Sequence, residues 1–301
     1  MPAAQEPVVC AQVDESFTEI VPSVLLVVDR SGSMRESFGA TTRWDAVYDT
    51  LLAESTGVVR RLANDVRFGL AVFNNPGDQC PMLEKVEPAL RNADAIDSVL
   101  APLTPNGDTP TGTALLEATP MVASQPGPRF IVLATDGLPD TCDVPNPDGL
   151  PAAREAAVSA TRDAFEQGIV SYVLSVGPDV AEDHLQAVAN AGAGVPDTSQ
   201  ENAPFFVALD PEQLVGAFDE IMNDVRYCTF AFDGVDELGS EDEGYELVGA
   251  RVSVDGRVLE EGVEWRMVGS DTVQLVGAAC DEVLDGNHDV RAELLCEIVL
   301  D

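Results

Sequence analysis

Val24-Leu25-Leu26-Val27-Val28-Asp29-Arg30-Ser31-Gly32-Ser33 is the stretch whose reading decides the fold of this chain. Its first five residues are apolar, with no polar alternation. That pattern predicts a strand covered on both faces, as in a parallel sheet held between layers of helices. The run then stops on short oxygen-bearing side chains at alternate positions, Asp29, Ser31 and Ser33, with Gly32 between the serines. Small oxygens on a tight turn suit a hard cation. The C-terminal end of a strand is also where open α/β sheets place their ligands.

A second run of the same kind, Phe130 to Ala134, ends on Thr135-Asp136-Gly137. Residues 66–73 are rich in β formers, a weaker strand is expected near 82–87, and further strands at 169–176 and 205–209. Between them the apolar spacing predicts helices over 43–63, 91–101, Pro110 to Val122, 151–167, 180–192 and 211–226. Thr42 followed by Asp45 reads as the N-cap of the first. Strands alternating with helices from 23 to 226 imply an α/β fold: a doubly wound, mostly parallel sheet flanked by helices.

After Tyr227 no helical period is found. Short β-like pieces occur at 228–232, 245–248, 250–254, 272–276 and 292–300, and Asp255-Gly256 supplies the positive φ angles of a type I′ hairpin turn. The expected organisation is a lead-in segment over 1–22, the α/β domain over 23–226, and a small all-β module over 227–301. That module carries 19 acidic against 4 basic residues and half of the six cysteines, as suits a small unit held by covalent staples.

The chain has 301 residues and a net charge of −37, with Lys85 as its single lysine. Such a surface repels nucleic acid and anionic membranes. Its acidity reads first as a solubility device and second as a surface for a basic partner. No apolar run approaches the ~20 residues of a membrane span, so membrane insertion is not expected. Residues 1–7 hold neither a basic n-region nor an apolar h-region. The six cysteines, at 10, 80, 142, 228, 280 and 296, have no zinc-type spacing. An even, widely spaced set points to disulfides in an oxidising compartment. The expectation is therefore an extracellular or cell-envelope protein whose signal peptide has been removed.

Three loops carry oxygen ligands: Asp29, Ser31 and Ser33; Asp108 and Thr109; and Asp136. If the strands before 29 and 136 are neighbours, these loops meet at one edge of the sheet. An all-oxygen donor set favours Mg²⁺, Mn²⁺ or Ca²⁺ over zinc or copper. Asp29-Arg30-Ser31-Gly32-Ser33 resembles the metal-ion-dependent adhesion site motif, D-x-S-x-S, of the von Willebrand factor A (VWA) family. Asp108-Thr109-Pro110-Thr111-Gly112 and Thr135-Asp136-Gly137 are similar to that family's second and third loops, and the likeness spans about 21–226.

The resemblance implies that Ser31 and Ser33 coordinate the ion directly and that Asp29 and Asp136 act mainly through waters. Thr109 acts directly or through water, and a partner's carboxylate completes the site. Mg²⁺ is the first expectation for the ion, with Mn²⁺ and Ca²⁺ as alternatives. The implied disulfides are Cys10–Cys228 around the VWA-like region, Cys80–Cys142 at the ligand edge and Cys280–Cys296 in the β module.

The leading reading is a non-enzymatic, metal-dependent module that binds a protein ligand offering an acidic side chain. The alternative is a structural subunit of a surface assembly, in which the metal only stabilises the loops. A metal-dependent phosphoryl-transfer enzyme ranks lower, because it wants a lysine at the phosphate and a second Asp where Ser31 stands. Asp108 reads as a turn residue. Asp78, Asp140, Asp143 and Asp148 read as solvated acidic loops rather than a further calcium site. His184 reads as a surface residue, and Trp44, Phe205 and Phe206 as core.

Overall fold

The computed structural model describes residues 8–13, 21–77, 79–144, 149–196, 202–231, 245–268, 272–283 and 288–298. Asp78 and Asp148 lie outside them. The described residues form two compact units. One is Val21–Met222; the other joins strand β1 (Val8–Val13) to the chain from Asn223 onward.

The first unit is built on the apolar run. Strand β2 (Ser23–Asp29) is buried along its whole length, as its lack of alternation requires. It is followed by a 3₁₀ turn (Gly32–Arg35) and a two-residue ladder of β3 (Ser37–Phe38) with β4 (Thr41–Thr42). Helices α1 (Arg43–Leu52) and α2 (Val58–Arg61) lead to β5 (Arg67–Asn74), β6 (Met82–Ala89) and α3 (Ala93–Leu100). Then come α4 (Thr111–Ala123), β7 (Arg129–Thr135), α5 (Pro151–Glu166), β8 (Ile169–Val176), α6 (Glu182–Gly192), β9 (Phe206–Ala208) and α7 (Pro211–Tyr227), whose residues from Asn223 on count with the second unit.

The sheet order is β6-β5-β2-β7-β8-β9, parallel throughout except for the antiparallel edge strand β6. Because strand side chains alternate between faces, Leu25 and Val27 join Ala71, Phe73, Ile131 and Leu133 under α4, α5 and α6. Val24, Leu26 and Val28 are buried on the other face. The buried Val47, Leu51, Val58, Ile96 and Leu100 of α1, α2 and α3 form a second helical layer, separate from that cluster.

Thr42 caps α1 as expected, its hydroxyl accepting from Asp45 N at 3.1 Å. The helix does not run on to residue 63. It stops at Leu52, and the chain turns on Gly57, whose N–H bonds Ala53 O at 2.8 Å. A Cβ at Gly57 would stand 2.6 Å from Ala53 N, so only glycine allows this closure. Arg60 Nε then takes the Leu52 carbonyl at 2.8 Å. Backbone approach outweighed the helical spacing that had joined the two segments.

The second unit holds β10 (Thr229–Ala231), β11 (Tyr245–Val254), β12 (Arg257–Val258), β13 (Trp265–Val268), β14 (Thr272–Leu275), α8 (Ala278–Val283) and β15 (Val290–Ile298). They make two antiparallel sheets, β1-β15-β11-β12 and β10-β14-β13. Asp255 and Gly256, at φ 49° and 79°, form the expected hairpin turn. The segment read as a lead-in thus supplies a strand, with Val8 opposite Cys296. The two pieces at 245–254 are one strand with a bulge between Leu247 and Gly249. The unit is also not wholly β: α8 follows β14 directly and buries Ala279, Cys280 and Val283.

Cys80 and Cys142 are bonded, as anticipated. Cys228 and Cys280 form a second disulfide, which overturns both Cys10–Cys228 and Cys280–Cys296. The reason is tertiary. Leu275 N donates to Cys228 O at 2.7 Å, and α8 turns back from the end of β14, bringing the two Cα atoms to 5.1 Å.

Gly112, in the first turn of α4, lies so close to α5 that a Cβ would stand 2.7 Å from the Ala156 carbonyl carbon. Gly112→Ala should destabilise the protein by about 1–3 kcal/mol through overpacking. A lowered urea midpoint with an unchanged m value is the expected signature.

Candidate metal centre

Chain order reverses between β2 and β7: from β2 the chain first builds outward to β5 and β6, then returns to start β7 on the other side. The C-terminal ends of two such strands open a crevice. Asp29 is the last residue of β2, and Asp136 follows the last residue of β7. Both carboxylates are 0 % exposed.

Each is held by hydrogen bonds of known direction. Asp29 Oδ1 accepts Ser31 N at 2.7 Å, and Asp29 Oδ2 accepts the Thr135 hydroxyl at 2.7 Å. Asp136 Oδ1 accepts the Ser33 hydroxyl at 2.8 Å, and Ser31 Oγ lies 3.0 Å from Ser33 Oγ and 3.5 Å from Asp136 Oδ1. A Cβ at Gly137 would stand 3.7 Å from Ser33 Oγ and 3.9 Å from Thr109 Oγ1, so both hydroxyls face the same backbone position. The fold therefore brings together Asp29, Ser31, Ser33, Thr109 and Asp136, drawn from three loops.

Backbone bonds fix those loops to one another. Gly32 N donates to Gly107 O at 2.9 Å and Asn106 N to Arg30 O at 2.9 Å, while Asn75 and Asp108 exchange two bonds of 3.0 Å. Asp108, read from the sequence as a turn residue, thus stands in an isolated antiparallel bridge with Asn75, and the bend falls on Gly107. Gly107, at φ 75°, passes so close to Asn75 that a Cβ would stand 2.1 Å from its carbonyl oxygen. Arg30 is buried and donates to Asn74 Oδ1 at 2.8 Å, and Asn74 Nδ2 donates to Asn106 O at 2.8 Å.

Two members of this centre escape a reading of the sequence. Asp140 is buried, not a solvated loop residue: it accepts Thr109 N at 2.7 Å and returns its own N–H to Thr109 O at 2.8 Å. It positions Thr109, whereas Asp143 in the same loop is exposed. Arg43 is 4 % exposed, and its Nη1 donates to Asp136 Oδ2 at 2.8 Å. One signal for Arg43 was available, since a cation in the first turn of a helix opposes the macrodipole and calls for a reason.

His184 is also corrected. It is buried at 6 % exposure on α6 and is pushed down to about 4, by burial first and then by Arg154, against the pull of Asp183. Trp44 is buried as expected, and Phe205 and Phe206 are half-buried.

The electrostatics follow from burial. Desolvation, and then the neighbouring Asp136 charge, push the Asp29 carboxyl up to about 7. Burial likewise raises Asp136, against the opposing hydrogen bonds from Arg43 and Ser33. Two carboxylates withdrawn from water beside a set of hydroxyls fit a divalent cation, whose charge offsets both.

Residues 24–138 match the family model of the von Willebrand factor type A domain. No curated protein matches the sequence. A single-residue variant of the PilB minor pilin from Streptococcus sanguinis is similar at a TM-score of 0.52 and 16 % identity, over 70 % of this chain and 63 % of that one. The pilus adhesin SpaC from Lactobacillus rhamnosus GG is similar at a TM-score of 0.52 and 16 % identity, over 94 % of this chain and 40 % of that one. The chain thus spans less than two thirds of the length of either. At these identities the likeness is one of fold: a mostly parallel VWA-type sheet flanked by helices.

With no cation present, stability should fall as pH rises from about 4 to 7. Burial lifts the Asp29 carboxyl to about 7, above the ordinary aspartate range, so the folded protein keeps a proton there that the unfolded chain releases. A divalent cation needs the ionised form, so its stabilising effect should grow over the same range. Melting temperatures across this range, in EDTA and in Mg²⁺, check both trends, and Asp29→Asn should flatten them. Gly107→Ala should cost about 1–3 kcal/mol by driving a Cβ into the Asn75 backbone, read by chemical unfolding.

Proposed function

We propose that this chain is a metal-dependent protein-binding module of an extracellular or cell-envelope protein, and not an enzyme. The observation that carries the reading is the pair of fully buried carboxylates, Asp29 and Asp136, at adjacent strand ends beside the hydroxyls of Ser31, Ser33 and Thr109. Ser31, Ser33 and Thr109 would hold the ion. Both oxygens of Asp29 already accept bonds from Ser31 N and Thr135, so its part would be to orient water and supply charge. Asp136 would act through the oxygen that faces Ser33. All-oxygen chemistry favours Mg²⁺, then Mn²⁺ or Ca²⁺. Bound there, the cation would supply a Lewis-acidic position for a partner's carboxylate.

Other observations support this reading. Two disulfides suit an oxidising compartment. The similar structures are a minor pilin and a pilus adhesin. Phosphoryl transfer is disfavoured, because Lys85 stands on the edge strand β6 and donates to the Glu117 carbonyl at 3.3 Å. A second reading, a structural subunit whose loops the ion merely stabilises, is favoured by the Asp136–Arg43 pair and by loops that bond to one another directly.

At a hundredfold excess over Kd, a cation should stabilise the protein by about 2.7 kcal/mol. Asp29→Ala and Ser33→Ala should abolish that gain. Immobilised protein should then retain acidic peptides in Mg²⁺, lose them in EDTA, and ignore the same peptides with Asp and Glu changed to Asn and Gln. A stabilising cation without any carboxylate-dependent retention would move the assignment to the structural subunit. No cation effect at all would end the metal reading.

A further inference from the structure

Arg43 opens α1, where its charge meets the positive end of the helix dipole, so local helix energetics give no reason for it. It is nonetheless buried, and three carboxylates from three segments converge on it. Nη1 bonds Asp136 Oδ2 at 2.8 Å, while Nη2 pairs with Glu36 at 3.0 Å and with Asp179. The pocket is shaped for the guanidinium. Gly177, at φ 111°, lies where a Cβ would stand 2.9 Å from Arg43 Nε and 3.0 Å from Nη2. Nε itself is buried with no hydrogen-bond partner among the described residues, so the side chain is placed by what its two terminal nitrogens reach. Asp136 is thereby divided: Oδ2 faces a cation of the protein, and Oδ1 faces the hydroxyls of Ser33 and Ser31.

We propose that Arg43 is a built-in counter-cation of the cleft. It keeps the Asp136 carboxylate satisfied when no ion is bound, and so lets the site stay folded in the ion-free state. In doing so it cancels one of the two negative charges a divalent cation would meet, and weakens the grip on that ion. The first half stands on the ion pair alone; the second rests on the metal reading above. The physical basis is common to both: in a buried cleft a fixed positive charge stabilises the carboxylate and repels an incoming cation through the same field.

The test separates the halves. In EDTA, Arg43→Met leaves Asp136 buried without its partner and should lower the melting temperature by roughly 10 °C. Arg43→Met combined with Asp136→Asn should recover most of that loss, because charge and countercharge leave together. A double variant no more stable than Arg43→Met would show that Arg43 serves packing and would overturn the first half. Gly177→Ala, which crowds the guanidinium without removing it, should give a smaller loss and serves if Arg43→Met does not fold. By calorimetry, Arg43→Met, or Gly177→Ala in its place, should bind Mg²⁺ or Mn²⁺ more tightly than the native chain, by about tenfold for Arg43→Met. Unchanged or weaker binding overturns the second half. If neither protein binds either ion, the metal reading and the second half fall together, while the melts in EDTA still decide the first.

Discussion

Two carboxylates buried side by side at the ends of neighbouring parallel strands are the constraint on which the rest of the first unit turns. Water would solvate Asp29 and Asp136; the protein has removed it from both. Everything near them replaces that solvation. Ser31 N, the Thr135 hydroxyl, the Ser33 hydroxyl and the Arg43 guanidinium each donate to one of their four oxygens. Such substitution works only while the donors are held in place, because an unmet buried charge is far costlier than an unmet surface one. This explains the density of backbone bonds among the loops at 30–33, 74–75 and 105–109. It also explains Gly107, where any side chain would strike the Asn75 carbonyl.

The donors do not fully compensate the pair, as the raised Asp29 carboxyl shows. A cleft of this kind retains a residual demand for positive charge at the edge of a rigid sheet. That demand can be met by a proton, by the protein's own arginine or by an ion from solution. The proposed function and the role proposed for Arg43 are two statements about the same balance. The second unit is built on different terms. Its antiparallel sheets bury a modest core around Trp265, Val252 and Leu275, and the Cys228–Cys280 bond fastens it. A small core commonly needs such a staple.

Much of the first unit was legible because its signals are local. Uninterrupted apolar runs such as Val24–Val28 and Phe130–Ala134 have few structural solutions, and a parallel sheet between helices is the commonest. The oxygen-bearing loops were legible for a related reason, since small oxygens at alternate positions on a tight turn after an apolar strand suit a hard cation. What escaped depended on distant partners. The stop of α1 depends on how closely Gly57 meets Ala53; the periodicity of Val58, Val59 and Leu62 continues past it. Asp140 resembles its exposed neighbours in composition, and only the fold of the loop carries it to Thr109. His184 sits among charged residues in the sequence, yet its side of α6 faces inward. Cys228 and Cys280 are paired by β10, β14 and α8, an arrangement no cysteine spacing encodes.

The sequence by itself determined the α/β class, the buried strands, the hairpin at Asp255-Gly256 and which five oxygen-bearing residues, in three loops, the fold brings together. Each of these follows from what a few consecutive side chains will tolerate. Only the tertiary structure decided that β2 and β7 are neighbours, that β1 closes onto β15, that Asp140 braces Thr109 and that Arg43 stands against Asp136. These are pairings between segments far apart in the chain. Their energies come from register, burial and charge compensation in three dimensions, which no window of sequence contains.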